Sequence, residues 1–129
     1  MLLEKYLISI QNTSDRIALT RFRLSNHDLM IEKGRHQNLI IFDRICPFCP
    51  GNIENEFHFL IKCPIYENLR KNLQDQVRLV TLGFYYPQNE QFLFWFLLTN
   101  PLISHLTARH IRLSMDIRAF LLENLRNSN

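Results

Sequence analysis

The chain is poor in the residues that punctuate a β-protein, with three glycines and five prolines among 129 residues. An all-β domain turns roughly every 8–12 residues, so this scarcity excludes that class. Long apolar runs are missing too. The longest, Phe92 to Leu98, has seven residues, against the roughly 18–20 that span a bilayer, so no membrane partner is expected. Met1-Leu2-Leu3-Glu4-Lys5 lacks the pattern of a secretory signal, and the cysteine count is odd. Both point to a reducing intracellular compartment, nuclear or cytoplasmic. Neither charge dominates: 15 Lys and Arg against 12 Asp and Glu give +3, which is compatible with a nucleic-acid partner without demonstrating one. Internal repeats and low-complexity segments are absent.

What is present is concentrated. All three cysteines fall within eighteen residues, with one histidine, as Cys46-x2-Cys49-x8-His58-x4-Cys63. Three thiolates and an imidazole make a tetrahedral set suited to one Zn²⁺, with bonds of about 2.3 Å to sulfur and about 2.0–2.1 Å to nitrogen. Four protein ligands leave no position for a reactive water, so such an ion is structural. The competing reading is of three buried cysteines acting as small hydrophobes. Against it stand the two-residue gap in Cys46-Pro47-Phe48-Cys49, the turn signal Pro50-Gly51, and a segment from Glu54 to Cys63 that reads as helix. A thioredoxin-like redox pair fits poorly, because the chain has no glycine-bounded βαβ pattern.

The 47% hydrophobic content, with ten phenylalanines, suffices for a core. Leu3, Tyr6, Leu7 and Ile10 recur at helical spacing over Leu2 to Ile10. Asn12-Thr13-Ser14 offers N-caps for a second helix, Asp15 to Leu24, with Ile17 and Leu24 along one side. A third runs from His27 to Lys33, ended by Gly34 at C′. Leu39 to Phe42 is a short strand or an extended lead into the metal turn. Pro64 sits at N1 of a helix over Ile65 to about Arg78. Gly83 and Pro87 bracket a loop. Gln88 to Leu98 is apolar nearly all round and expected to be buried. The last helix, after Asn100-Pro101, turns Leu102, Leu106, Leu113, Ile117, Phe120 and Leu125 to the core, with Arg109 and Arg112 facing Asp116. His27, His105 and His110 read as ordinary surface or helix residues. The fold expected is mostly α with little or no β: one zinc-stapled domain over 1–129, with N-terminal helices in 1–43, a zinc-binding core in 44–70 and C-terminal helices in 71–129.

Several short blocks occur in order: Leu19-Thr20-Arg21-Phe22-Arg23-Leu24, Gly34-Arg35-His36, Arg44-Ile45-Cys46-Pro47-Phe48-Cys49, Glu54-Asn55-Glu56-Phe57-His58-Phe59-Leu60, then Cys63-Pro64-Ile65-Tyr66 and Arg70. From about Leu19 to Arg70 this resembles the C-terminal zinc-binding (CCHC) region of reverse transcriptases from non-LTR, LINE-type retrotransposons. The resemblance implies a module downstream of the polymerase that assists template RNA or target DNA binding in target-primed reverse transcription. It makes Cys46, Cys49, His58 and Cys63 the zinc ligands. It makes Arg23 and Gly34-Arg35-His36 contacts to a phosphate backbone. The chain is then the terminal piece of such a protein, or the product of a decayed element. Catalysis is not implied: a Tyr/Phe-x-Asp-Asp polymerase motif, carboxylates for two Mg²⁺ and an endonuclease set are all missing. The knuckle also departs from the retroviral nucleocapsid type, with eight residues between Cys49 and His58 where that type has four.

Arg21, Arg23, Lys33, Arg35, His36 and Arg44 form the candidate nucleic-acid track, the bland reading being a solvated basic face paired with Asp15, Asp28, Glu32 and Asp43. For His36, a phosphate contact or spare metal ligand competes with a plain loop histidine. Two other functional readings stay open, a zinc-stabilised protein–protein module and a retroelement remnant without selected function. The run Phe92 to Leu98 is core, or a surface that packs on the parent polymerase.

Overall fold

The computed structural model describes residues 10–81 and 86–128. The described residues form five α-helices: α1 Thr13–Arg23, α2 Met30–His36, α3 Glu67–Val80, α4 Glu90–Thr99 and α5 Ser104–Asn127. Tighter 3₁₀ turns span Ile41–Asp43 and Pro64–Tyr66, and a wide π turn spans His58–Lys62. Among the described residues β-structure is reduced to one antiparallel bridge, Ile45 to Ile53. The expected mostly-α class holds. The helix expected over Leu2 to Ile10 lies outside the described residues except for Ile10, which is buried.

Asn12 caps α1, its Oδ1 accepting from the Asp15 N–H at 3.0 Å. The buried face of α1 carries Asp15, Leu19 and Phe22, while Ile17 and Leu24 are exposed, at 48% and 69%. This reverses the expected face, and the reason is non-local: Arg112 of α5 pairs with Asp15 and turns that side of α1 inward.

α2 begins at Met30, later than expected, and continues through Gly34 to His36. Gly34 is therefore no terminator. A Cβ there would lie 2.5 Å from Arg44 Cγ, so the glycine makes room for the Arg44 side chain to cross the helix. Arg44 then donates to the Ile31 carbonyl (3.1 Å) and twice to that of Leu39 (3.1 and 2.9 Å). The chain leaves α2 at Asn38, with φ of 59°. Leu39 to Phe42 forms no strand; it leads into the 3₁₀ turn, which packs against α2.

α4 buries Leu97 and Leu98 but leaves Phe92 and Trp95 56% and 60% exposed, so it is not enclosed on all sides. α5 packs along α1, α3 and α4. Its buried stripe is Ser104, Thr107, Ala108, His110, Ile111, Ser114 and Arg118, whereas Leu102, Phe120 and Leu125 are exposed. One member of this stripe has a charged partner. Arg118 forms a two-pronged pair with Glu54, at 2.8 and 2.7 Å, and both groups are nearly inaccessible, at 5% and 1% exposure. Glu54 also accepts the Met30 N–H at the start of α2, at 2.7 Å. The expected Arg112–Asp116 pairing is present at 3.4 Å.

His27 and His110 have inward-facing side chains; His110 is a helix residue, one of the two placements expected, and His27 is not at the surface. His27 Nε2 lies 3.0 Å from Glu56 Oε1, and its Nδ1 accepts the Leu29 N–H. His110 is enclosed, and burial pushes its pKa down to about 4.

Two outcomes follow from this core. Removing one partner of a buried ion pair leaves the other charge stranded, at a cost of about 3–5 kcal/mol. Arg118→Ala is expected to lose that much stability in urea denaturation, and Arg118→Lys most of it, since an ammonium cannot bridge both carboxylate oxygens. For His110, the unfolded imidazole takes up its proton near pH 6.5, above the folded value of about 4. The unfolded state therefore binds more protons between these values, and stability rises with pH across that window. His110→Gln should flatten that slope, by up to about 1.4 kcal/mol per pH unit; a slope shared by both proteins would contradict the buried neutral imidazole.

Candidate metal centre

Two short pieces of chain present the four predicted ligands. The first is a knuckle closed by the Ile45–Ile53 bridge. The Cys46 N–H donates to the Asn52 carbonyl (2.8 Å), the Cys49 N–H to that of Cys46 (3.3 Å) and the Asn52 N–H to that of Cys49 (3.2 Å). Gly51 turns the corner at φ +85°, a left-handed conformation that glycine adopts without steric penalty. These bonds bend the backbone around both sulfurs.

The second piece is the π turn His58–Lys62. Asn55 starts it, its Oδ1 accepting the His58 N–H at 2.8 Å. In a regular α-helix positions five apart point about 140° away from each other. The wider turn, closed by Cys63 N–H to the His58 carbonyl at 2.7 Å, brings residues 58 and 63 back to one side. Pro64 then disfavours helical geometry at Cys63, which is extended at φ −61°, ψ 123°. Arg70 holds the end of the turn: its guanidinium donates to the carbonyls of Leu60 (3.0 Å) and Cys63 and pairs with Glu67 at 3.1 Å.

Cys46, Cys49, His58 and Cys63 are all buried, and their ligand atoms lie within 4.8 Å of one another. Cys63 Sγ is 4.0 Å from Cys46 Sγ and 3.7 Å from Cys49 Sγ. His58 Nε2 is buried without a hydrogen-bond partner among the described residues. Such an orphaned acceptor beside three thiols is the donor set of a metal site. Burial raises the Cys46 thiol to about 12, with the neighbouring Cys63, Glu54 and Cys49 adding to the effect and a backbone bond from Phe48 opposing it. Burial likewise raises Cys63 and lowers His58. A thiolate is stable in such surroundings only beside a cation, so loading a metal ion expels thiol protons. The group can hold one ion.

The basic residues singled out from the sequence divide into two sets. Arg21, Lys33, Arg35 and His36 are exposed, the last three in the final turn of α2. Arg35 pairs with Glu32 at 2.7 Å and remains 59% exposed. Arg23 and Arg44 are half-buried and engaged with backbone: Arg23 donates to the Leu98 carbonyl at 2.6 Å, tying α1 to α4, and Arg44 crosses α2 to the carbonyls of Ile31 and Leu39. His36 is not among the four clustered ligands. Spacing did not single out Asn55, Glu54, Arg70 or Arg118 for a role. Only Asn55 carried a local signal, a capping residue three positions before His58.

No family model matches the sequence, and neither a curated protein nor a solved structure is detectably similar to it. What the residues themselves define is a helical chain built around one buried Cys₃His group. No helix among the described residues is long and apolar enough to cross a membrane.

Because Arg70 orients the segment carrying His58 and Cys63 without touching the ion, Arg70→Ala is expected to weaken metal affinity about 10–100-fold. Competition with a chromophoric chelator measures it. Unchanged affinity would show that the π turn holds its shape without the guanidinium.

Proposed function

We propose that the chain is a non-catalytic, zinc-binding module that binds nucleic acid for a retrotransposon reverse transcriptase, assisting template RNA or target DNA binding in target-primed reverse transcription. The observation that carries this reading is the closed Cys₃His set, set within the ordered sequence blocks that resemble that family. Tetrahedral zinc with bonds of about 2.3 Å places its sulfurs about 3.8 Å apart, and two of the three sulfur pairs here stand at 3.7 and 4.0 Å. With four protein ligands the ion keeps no open position for a water, so its contribution is to folding.

Support for a nucleic-acid partner comes from the exposed cations Arg21, Lys33 and Arg35, with the exposed His36 beside the last of them, together with the family resemblance. Arg23 and Arg44 serve this reading indirectly, by fixing α1 and α2. Phosphate contacts from three side chains give a log–log salt slope of about −2 on a single strand. They supply micromolar, sequence-blind binding.

Two measurements test the reading on the whole chain. Elemental analysis of protein purified without added metal should give one zinc per chain, with helicity lost on chelation. Fluorescence anisotropy against labelled RNA and DNA should show affinity falling with salt at a slope of about −2, and Lys33→Ala with Arg35→Ala should reduce the magnitude of that slope by about 1.4. Binding that ignores salt, or no binding, would move the reading to a protein-interaction module carrying the same zinc.

A further inference from the structure

We propose that the cleft between the end of α1 and α4 receives one unpaired nucleobase of a single strand; this rests on the nucleic-acid reading above and gives it a site. The cleft encloses about 310 Å³ and is lined by Phe22, Arg23, Ser25, Glu56, Phe94 and Trp95, among others. That volume falls at the lower end of the ~300–1,000 Å³ of small-ligand pockets.

The walls are aromatic. Trp95 is 60% exposed, and its ring meets that of Phe94 edge-on, with centroids 5.2 Å apart. Phe94 is braced in turn by Phe57 at 5.7 Å. A braced indole open to solvent offers its face to a base, and every base has a π-face to return. A paired base lies within its helix and cannot enter a concave cleft, so the occupant is unpaired.

The polar groups are few and convergent. Glu56 is held in place by His27 at 3.0 Å and by the Ser25 hydroxyl at 3.4 Å. Both contacts fall on Oε1, and carboxyl oxygens are hydrogen-bond acceptors. A carboxylate reads an exocyclic amine, such as N4 of cytosine, and is repelled by the O4 acceptor that uracil has there. Arg23 lies in the same lining. Glu56 stands two residues before His58, so the cleft is built on the segment that the metal centre organises.

The chain has a single tryptophan, so its emission reports this cleft alone. The experiment titrates the zinc-loaded chain with single-stranded decamers of cytidine and of uridine, and with a duplex of equal length. It follows the anisotropy of a label on the nucleic acid and the emission of Trp95 together. Single strands are expected to quench Trp95, cytidine at lower concentration than uridine, while the duplex binds without quenching. Trp95→Ala should weaken single-strand binding about ten-fold and leave duplex binding unchanged. Glu56→Gln, with its fold checked by circular dichroism, should abolish the preference for cytidine. Single-strand binding that leaves Trp95 emission unchanged and survives Trp95→Ala would overturn the cleft while leaving the nucleic-acid reading intact. No binding of any nucleic acid would remove both. Quenching by a trimethyllysine peptide but not by the decamers would also overturn it, in favour of an aromatic cage for a cation.

Discussion

The buried pair of Glu54 and Arg118 is the constraint around which the described residues are arranged. A carboxylate and a guanidinium taken out of water are tolerated only when both are fully engaged, and here they are. The Glu54 side chain receives two bonds from Arg118 and one from the Met30 N–H. Its backbone accepts the Ile31 N–H at 2.9 Å and donates to the Arg44 carbonyl at 2.9 Å. One residue thus joins α5, the start of α2 and the strand-like arm of the knuckle. Displacing any of the three would strand a charge or a backbone group in the interior.

The metal centre is the neighbouring junction and works on a different pair of elements. Its ligands join the knuckle to the π turn, Arg70 joins that turn to α3, and Phe59 stacks edge-on against Tyr66 at 4.8 Å to fill the space between. Glu54 lies between Cys49 and His58 in sequence. The Cys₃His group and the ion pair therefore both anchor the same short segment, 54 to 63, whose Phe59, Leu60 and Ile61 are buried in the core.

The ligands were legible because their signal is chemical and local: the residue types are rare, and three spacings must agree. The Asn12 cap and Pro64 at the head of a helical segment were legible for the same reason. The buried face of α5 was not. Apolar residues lie on more than one side of that helix, and the side that faces inward is chosen by Asp15 and Glu54, 97 and 64 residues away. Gly34 was misread because glycine is equally at home ending a helix and yielding space, and the space is needed by Arg44, ten positions on. In α4 the sequence Glu90 to Thr99 is apolar on every side, so periodicity could not select Phe92 and Trp95 as the exposed pair. For α1 and α5 the deciding contact comes from a distant part of the chain.

That distance also bears on the birth of the protein. A ribosome makes α1 first and α5 last, at roughly 5–20 residues per second. Until Arg112 emerges, Asp15 has no cation and the Leu19–Phe22 side of α1 has no α5 to cover it. The nascent chain therefore carries an uncovered apolar stripe for several seconds. The knuckle and π turn, only a few residues apart, are complete well before then, so the segment around Cys46 to Cys63 can organise while the helices on either side still wait for their partner.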